Sequence, residues 1–246
     1  MKKLAVIMFI LLWSFLNVSA NETVRLSVGE WVPYTSADTS KGRVGQSIVS
    51  AAFKLENIDV VYEYNGWQKS LKDALEAKSE GTFPWNKTKK RLKDFYYSKL
   101  PIAKSKTVFF SLKKTNFDWA EYDDLKKYKI GDVTGYKASQ FLSDKGISVI
   151  NVDTEAQNMK KLLSGEIDVT TNGYLPGNNL IKTLFSAEEA AMITSHKKEV
   201  FKETGLYIMI SKKHPKGQEL IDIFDRGFLK LLKSGELVKI MKASMK

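Results

Sequence analysis

Residues 81–101 read Gly-Thr-Phe-Pro-Trp-Asn-Lys-Thr-Lys-Lys-Arg-Leu-Lys-Asp-Phe-Tyr-Tyr-Ser-Lys-Leu-Pro. A short apolar strand end runs into Pro84-Trp85, Thr88 begins a helical turn, and Arg91 lies three residues inside it. The start of a helix offers unpaired backbone N–H groups and a partial positive charge. An arginine beside it adds a planar fork that can hold a carboxylate with two hydrogen bonds. The stretch therefore predicts a site for an anionic group on a small ligand.

The segments before this stretch alternate between strand and helix patterns. Strand patterns over 23–28, 58–64 and 82–83 are separated by helical spacing over 45–55 and 67–77. This β-α-β-α-β order predicts a sheet with parallel strand pairs and helices on its faces.

The second half of the chain repeats this order at a similar scale. Strand patterns over 128–133, 149–152 and 165–171 are separated by helices that begin near 138 and 154. Further strands over 107–112 and 205–211 flank the repeat, and a helix over 218–233 follows, with a last short helix after 235. Two such units in 246 residues predict two α/β lobes.

The N-terminus has the pattern of an export signal. Lys2 and Lys3 precede an uncharged apolar run over 4–16, and Ala20 ends a small-residue cleavage pattern. A membrane anchor is the alternative, but the run is shorter than the roughly 20 residues that a spanning helix needs. No Cys follows the cleavage position, so lipidation there is excluded. We therefore expect residues 1–20 to be removed and the mature chain to be a soluble periplasmic protein.

The amino-acid composition limits the classes of partner and the kinds of site that we expect. The formal charge of +11 favours an anionic partner, although net charge mainly affects solubility and steering. The lysines are spread along the chain, so we do not expect nucleic acid as a partner. With Cys 0 there is no disulfide and no thiol nucleophile, and His196 and His214 are too far apart in sequence to predict a metal pair. We expect neither metal nor cofactor, and a monomer.

Five short motifs occur in a fixed order along the chain. They are Gly29-Glu-Trp-Val-Pro-Tyr34, Thr88-Lys-Lys-Arg91 with Ser98-x-x-Pro101, Ile130-Gly-Asp-Val-Thr-Gly135, Leu163-Ser-Gly-Glu-Ile-Asp168 and Phe228-Leu-Lys-Leu-Leu-Lys-Ser-Gly235. In this order they resemble the periplasmic solute-binding proteins of ABC transporters, in the family that binds polar amino acids. The resemblance covers essentially all of residues 22–245.

The resemblance implies a type II periplasmic-binding-protein fold, in which two α/β lobes joined by two hinge crossings clamp a ligand between them. Lobe 1 would comprise 21–107 plus 206–246, and lobe 2 would comprise 112–203. The crossings would be 107–111 and 205–210. The implied function is to bind a small, amino-acid-like solute that carries a carboxylate and to deliver it to an inner-membrane ABC permease.

The resemblance also implies roles for particular residues. Arg91 would hold the ligand's carboxylate, and Trp31 would lie over its apolar body. Thr134, Gly135, Tyr136 and Lys137 would form the ligand turn of lobe 2, where a glycine lets the backbone approach the ligand closely. Each residue has a structural alternative: a solvated arginine in a basic run, a core tryptophan, and an ordinary strand-to-helix turn.

The expected partner for a ligand ammonium is absent from its usual place. Relatives that bind α-amino acids usually carry an Asp a few residues beyond position 168, whereas this segment has Asn172 or Gly173 in that place. A neutral Asn cannot offset a positive charge. Glu30 is an alternative source of a carboxylate, although it is equally suited to a structural role. Trp85, at a strand end, is a further candidate for the lining.

Two other functions fit the same resemblance. A stand-alone sensor would bind a ligand and then dock on a membrane receptor, and no sequence feature separates it from a transport protein. An enzyme similar to periplasmic dehydratases would need a positioned acid or base. No His lies in the site motifs and Glu30 is the one obvious carboxylate in them, so we do not expect an enzyme.

Overall fold

A computed structural model describes residues 22–202 and 204–244, and the predicted signal over 1–20 lies outside them. The strands are β1 Glu22–Val28, β2 Ile58–Tyr64, β3 Gly81–Trp85, β4 Phe95–Tyr97, β5 Ala103–Ser105, β6 Thr107–Leu112, β7 Ile130–Val133, β8 Val149–Val152, β9 Val169–Gly173, β10 Ile193–Glu199 and β11 Thr204–Ser211. The α-helices are α1 Val44–Lys54, α2 Trp67–Leu75, α3 Lys89–Asp94, α4 Lys137–Asp144, α5 Glu155–Ser164, α6 Tyr174–Leu184, α7 Ala187–Met192, α8 Gly217–Ser234 and α9 Glu236–Ser244. None of the described helices is long and apolar enough to cross a membrane.

The strands form two mixed sheets that are built on the same parallel core. The first sheet has the order β2-β1-β3-β11-β4, with β5 paired to β11, and the second has the order β10-β6-β9-β7-β8. Strand β1 lies parallel to β2 and β3, and β7 lies parallel to β8 and β9. Both predicted β-α-β-α-β units are therefore present, and in each unit the first strand lies between the second and the third. We call the parts built on the two sheets lobe 1 and lobe 2.

The chain passes between the sheets at two adjacent places. Strand β5 pairs with β11 in the first sheet, and after one residue β6 pairs with β9 and β10 in the second. The return passage lies between Glu199 and Thr204. Neither segment predicted as a crossing spans the two sheets. Residues 107–111 pair only with strands of the second sheet, and residues 205–210 pair only with strands of the first. Each passage lies just before the predicted segment.

Other differences from the predicted elements are local. Strand β9 begins at Val169 rather than at 165, because Gly165, with φ of +79°, ends α5 and a bend follows it. Helices α6 and α7 and strand β10 had no prediction.

Each lobe has its own apolar core. In lobe 1 the rings of Phe53 in α1 and Phe224 in α8 lie 5.4 Å apart. Gly227 permits this approach of the helices, since a Cβ there would lie 1.9 Å from a backbone oxygen of α1. In lobe 2 the adjacent residues Phe109 and Phe110 of β6 are fully buried in separate clusters on opposite faces of the sheet. These cores support the strand ends that carry the candidate site.

Candidate functional site

A cavity of about 70 Å³ lies between the lobes, where parallel strands of both sheets end. Its lining combines tryptophans and one cation from lobe 1 with polar and charged residues that follow or end the lobe 2 strands. The lining includes Trp31, Trp67, Trp85, Asn86, Arg91, Tyr136, Lys137, Ala138, Glu155, Asn172 and Phe201.

Arg91 is the buried cation of this cavity. Its helix begins as predicted, with the Thr88 hydroxyl accepting a hydrogen bond from the Arg91 N–H at 3.2 Å. The guanidinium lies over the Trp85 ring, 4.3 Å from its centroid, and donates to the carbonyl oxygens of Asn86 at 3.2 Å and Gly135 at 2.9 Å. Burial lowers the pKa of the guanidinium, and no described carboxylate pairs with it. An anionic ligand group would supply the missing charge.

Three tryptophans form the lobe 1 wall. Trp67 packs edge-on against Trp31, at 6.3 Å between ring centroids, and against Trp85, at 5.3 Å. Trp85 is buried, and its Nε1 donates to the Thr82 hydroxyl at 2.9 Å, so its polar atom is satisfied within lobe 1. Trp67 therefore lies in the lining together with Trp31 and Trp85, the two tryptophans that the sequence analysis proposed.

The carboxylate of the cavity belongs to Glu155, which the motifs did not identify. It is the first residue of α5, directly after the N-cap Thr154. Its Oε1 accepts a hydrogen bond from Trp31 Nε1 at 3.1 Å, across the two lobes, and the Tyr136 hydroxyl is a second partner. Burial raises the pKa of Glu155 to about 7, and the nearby Asp132 carboxyl adds to this rise. No described cation pairs with Glu155, so a ligand ammonium group would fit there.

A signal for Glu155 was present in the sequence. An acidic residue at the start of a helix usually interacts favourably with the helix dipole. This structural role explains such a residue without any contact to a ligand. However, Glu155 comes three residues after β8, which lies parallel to β7. The rule that ligands bind at the carboxyl ends of parallel strands applies to β8 as it does to β1 and β7.

The remaining polar lining comes from lobe 2. Tyr136 immediately precedes α4, whose start has no side-chain cap, and burial raises the pKa of its hydroxyl well above the ordinary value. Asn172 is the penultimate residue of β9 and is buried, and its Oδ1 has no hydrogen-bond partner among the described residues. A buried amide oxygen without a partner is unfavourable, so a ligand donor at this position would relieve a cost of about 1–3 kcal/mol.

Three of the predicted site residues do not line the cavity. Glu30 is exposed, and its Oε1 accepts a hydrogen bond at 2.5 Å from the backbone N–H seven residues later, so this carboxylate fixes its own loop. Thr134 is also exposed, and its hydroxyl donates to a carbonyl of β8 at 3.2 Å. Gly135, with φ of +78°, reaches the site through its carbonyl oxygen, the acceptor for Arg91. Within residues 22–202 and 204–244, no group of three or more His, Asp or Glu side chains suits a metal ion.

Each buried charge of the cavity is held by a group from the opposite lobe. Arg91 of lobe 1 donates to the Gly135 carbonyl of lobe 2, and Glu155 of lobe 2 accepts from Trp31 of lobe 1. Gln68 of lobe 1 also donates to the carbonyl of Thr134. Separation of the lobes would break all of these hydrogen bonds, so the lining is complete only when the lobes are together.

Comparison with known proteins shows that the chain is similar in fold to solved structures. No family model and no curated protein matches the chain. A histidine kinase sensor domain with similarity to periplasmic binding proteins matches with a TM-score of 0.79 and 15% identity, over 92% of this chain and 97% of that one. An ancestral arginine-binding protein bound to arginine matches with a TM-score of 0.76 and 18% identity, over 92% and 100%.

The chain has the two-lobed periplasmic-binding-protein fold. A third structure with this fold is AncCDT-1, an ancestral amino-acid-binding protein and a precursor of cyclohexadienyl dehydratase. It matches with a TM-score of 0.71 and 15% identity, over 91% of this chain and 95% of that one. The fold class predicted from the five motifs is confirmed.

Proposed function

We propose that this protein is a periplasmic solute-binding protein that closes on a small amino-acid-like zwitterion and delivers it to an inner-membrane ABC permease. One observation carries the proposal: Arg91 and Glu155 line the same cavity from opposite lobes, and neither has a charge partner among the described residues. A zwitterion would pair with both, through its carboxylate and its ammonium group. The arginine-bound ancestral protein of the same fold supports this ligand class.

Glu155 removes the objection that the sequence raised against an α-amino acid. That objection rested on Asn172, which stands where relatives usually carry an Asp. Glu155 offers a carboxylate to the same cavity from a different strand end. Asn172 would then contribute its unpaired Oδ1 as an acceptor for a ligand N–H.

A thermal-shift screen of amino acids, di-acids, sugar acids and small peptides tests this proposal. A ligand at 100 times its Kd adds about 2.7 kcal/mol to the stability of the folded protein. We expect amino acids to raise the Tm and their desamino analogues to have little effect. A rise with sugar acids or peptides, and none with any amino acid, would overturn the proposed ligand class.

Closure of the lobes on the ligand is the second part of the proposal. Two lobes joined at two adjacent passages can move as rigid bodies about a few residues. Small-angle scattering with a ligand from the screen should show a smaller radius of gyration than without it. An unchanged radius would contradict clamping.

Periplasmic localisation is the third part, and it rests on the signal pattern of residues 1–20. We expect the mass of the protein recovered from the periplasm to match a chain that begins near Asn21. Recovery of the protein with residues 1–20 attached would contradict cleavage.

The receptor-docking alternative uses the same clamp, and the histidine kinase sensor domain of the same fold favours it as the second candidate. Neighbouring genes discriminate the two. Permease and ATPase genes would support transport, whereas a kinase or cyclase gene would support sensing.

An enzyme is the third candidate, and Glu155 is the observation in its favour. A buried carboxyl with a pKa of about 7 is suited to general acid–base work, and AncCDT-1 is a precursor of a dehydratase. Mass spectrometry of candidate ligands after incubation would detect the loss of water. Turnover that disappears in Glu155→Gln would replace the binding function with an enzymatic one.

A further inference from the structure

The lobe 2 wall of the cavity contains a second cation, which a simple zwitterion would leave unused. Lys137 is the first residue of α4 and lines the cavity between Tyr136 and Ala138. Its Nζ lies 4.4 Å from the centroid of the Phe201 ring, which also lines the cavity. The side chain is half-buried, burial lowers the pKa of its amine, and no described carboxylate pairs with it.

Other lysines that contact aromatic rings lie elsewhere. Lys145, just after the end of α4, has its Nζ 5.2 Å from the Tyr122 ring centroid and 5.8 Å from that of Phe141, and it is exposed. Lys145 is not part of the cavity lining. It therefore provides a matched control for the contact of a lysine with aromatic rings.

The lining of the cavity contains more positive than negative side chains. Among the described residues, the charged side chains that line the cavity are the cations Arg91 and Lys137 and the carboxylate Glu155. Asp132 lies behind the lining, where its oxygens accept hydrogen bonds from the Val133 N–H and the Thr171 hydroxyl. A ligand that complements this lining carries two anionic groups and one cationic group.

We propose that the site selects an acidic amino acid. The α-carboxylate would pair with Arg91, the α-ammonium group with Glu155, and the side-chain carboxylate with Lys137. This inference rests on the function proposed above and specifies its ligand. A long cationic side chain, such as that of arginine, would instead bring a like charge towards Lys137, which disfavours it.

Calorimetry with L-glutamate, L-aspartate and their amides L-glutamine and L-asparagine tests the assignment. Each acid and its amide have nearly the same shape, so their difference in affinity reports the second carboxylate. Because a charge-assisted hydrogen bond is roughly twice as strong as a neutral one, we expect at least one acid to bind about tenfold more tightly than its amide. Lys137→Met should abolish this preference, and Lys145→Met should retain it.

The outcomes separate this inference from the function on which it rests. Equal affinities for acid and amide in the wild-type protein, or a preference that persists in Lys137→Met, would overturn the acidic specificity while solute binding stands. If no amino acid binds at all, the proposed function fails and this inference fails with it. Lys137→Gln provides a second variant, and melting curves of both variants verify that they fold.

Discussion

The two walls of the cavity are assembled in different ways. In lobe 1 the anion-binding site is contiguous in sequence: Thr88 caps the helix, Arg91 lies in its first turn, and Trp85 supports the guanidinium. In lobe 2 the polar lining comes from three separate strand ends, with Tyr136 after β7 and Glu155 after β8. A wall encoded in one segment can be found as a motif, whereas a wall built from several strand ends requires the order of the sheet.

The two buried charges also respond differently to burial. An arginine stays protonated in proteins, so Arg91 remains a cation and its unfavourable desolvation is relieved only by an anion. A carboxyl can instead take up a proton, and the pKa of Glu155 is raised to about 7. We therefore expect the lobe 1 charge to control affinity at all pH values and the lobe 2 charge to control its pH dependence.

Removal of the Arg91 guanidinium should have the largest effect on ligand affinity. Arg91→Ala leaves the ligand carboxylate without its partner, and a loss of about 3 kcal/mol corresponds to about a hundredfold weaker binding. Arg91→Lys should also fail, because an ammonium group cannot reproduce the planar fork that reaches two carbonyls. Calorimetry measures both variants, and exposed Lys90→Ala in the same helix is the control. Full affinity in Arg91→Ala, with an unchanged Tm, would show that the site lies elsewhere.

Neutralising the Glu155 carboxylate should have the next largest effect. Glu155→Gln keeps the shape of the side chain and removes the partner of the ligand ammonium group, so we expect about tenfold to hundredfold weaker binding. The matched control is Glu236→Gln, which changes the exposed first residue of α9. A desamino analogue, which lacks the ammonium group, should bind the wild-type protein and Glu155→Gln with equal affinity. Wild-type affinity in Glu155→Gln would exclude an ammonium site there.

The affinity for the zwitterion should fall as the pH is lowered from 8 to 5. Below a pKa of about 7, Glu155 is increasingly protonated and cannot pair with an ammonium group. One competing proton weakens binding by up to about tenfold per pH unit. Calorimetry across this range should show the slope in the wild-type protein and not in Glu155→Gln. A flat wild-type profile would mean that Glu155 does not contact the ammonium group.

Folding stability without ligand should change with pH in the opposite direction to affinity. The pKa of Glu155 is raised from 4.5 to about 7 by folding, so its contribution to stability is fully present below 4.5 and is lost as the pH rises through 7. Burial raises the pKa of Asp132 to about 7 as well, with the same sign. Scanning calorimetry should show a fall in Tm between pH 5 and 8 that is smaller in Glu155→Gln. Identical falls in both proteins would contradict the buried carboxyl.

The hydrogen bond that joins the walls should have the smallest effect. Trp31→Phe keeps an aromatic ring but removes the Nε1 donor to Glu155, and a typical hydrogen bond contributes about 0.5–1.5 kcal/mol net. We expect roughly twofold to tenfold weaker binding. Because this donor lowers the pKa of Glu155, the pH midpoint of binding should also move upward. Trp119→Phe, in the lobe 2 core, is the control and should leave the midpoint in place.

Local sequence predicted the elements and one wall of the site. Strand alternation, helical spacing and the Thr88 cap depend on neighbouring residues, so both β-α-β-α-β units and the orientation of α3 followed from segments of a few residues. The same local logic predicted that Arg91 faces a ligand cavity, because its motif contains the strand end, the cap and the arginine together.

Tertiary structure decided which carboxylate shares a cavity with Arg91. Glu30 and Glu155 both follow strands, and local sequence favoured Glu30 because it lies inside a motif. In the fold Glu30 hydrogen-bonds within its own loop, whereas the meeting of the lobes brings Glu155 against Trp31, 124 positions away in the chain. Such a contact depends on sheet order and on the passages between the lobes, and its consequence, a pKa near 7, arises from the burial that only the assembled cleft provides.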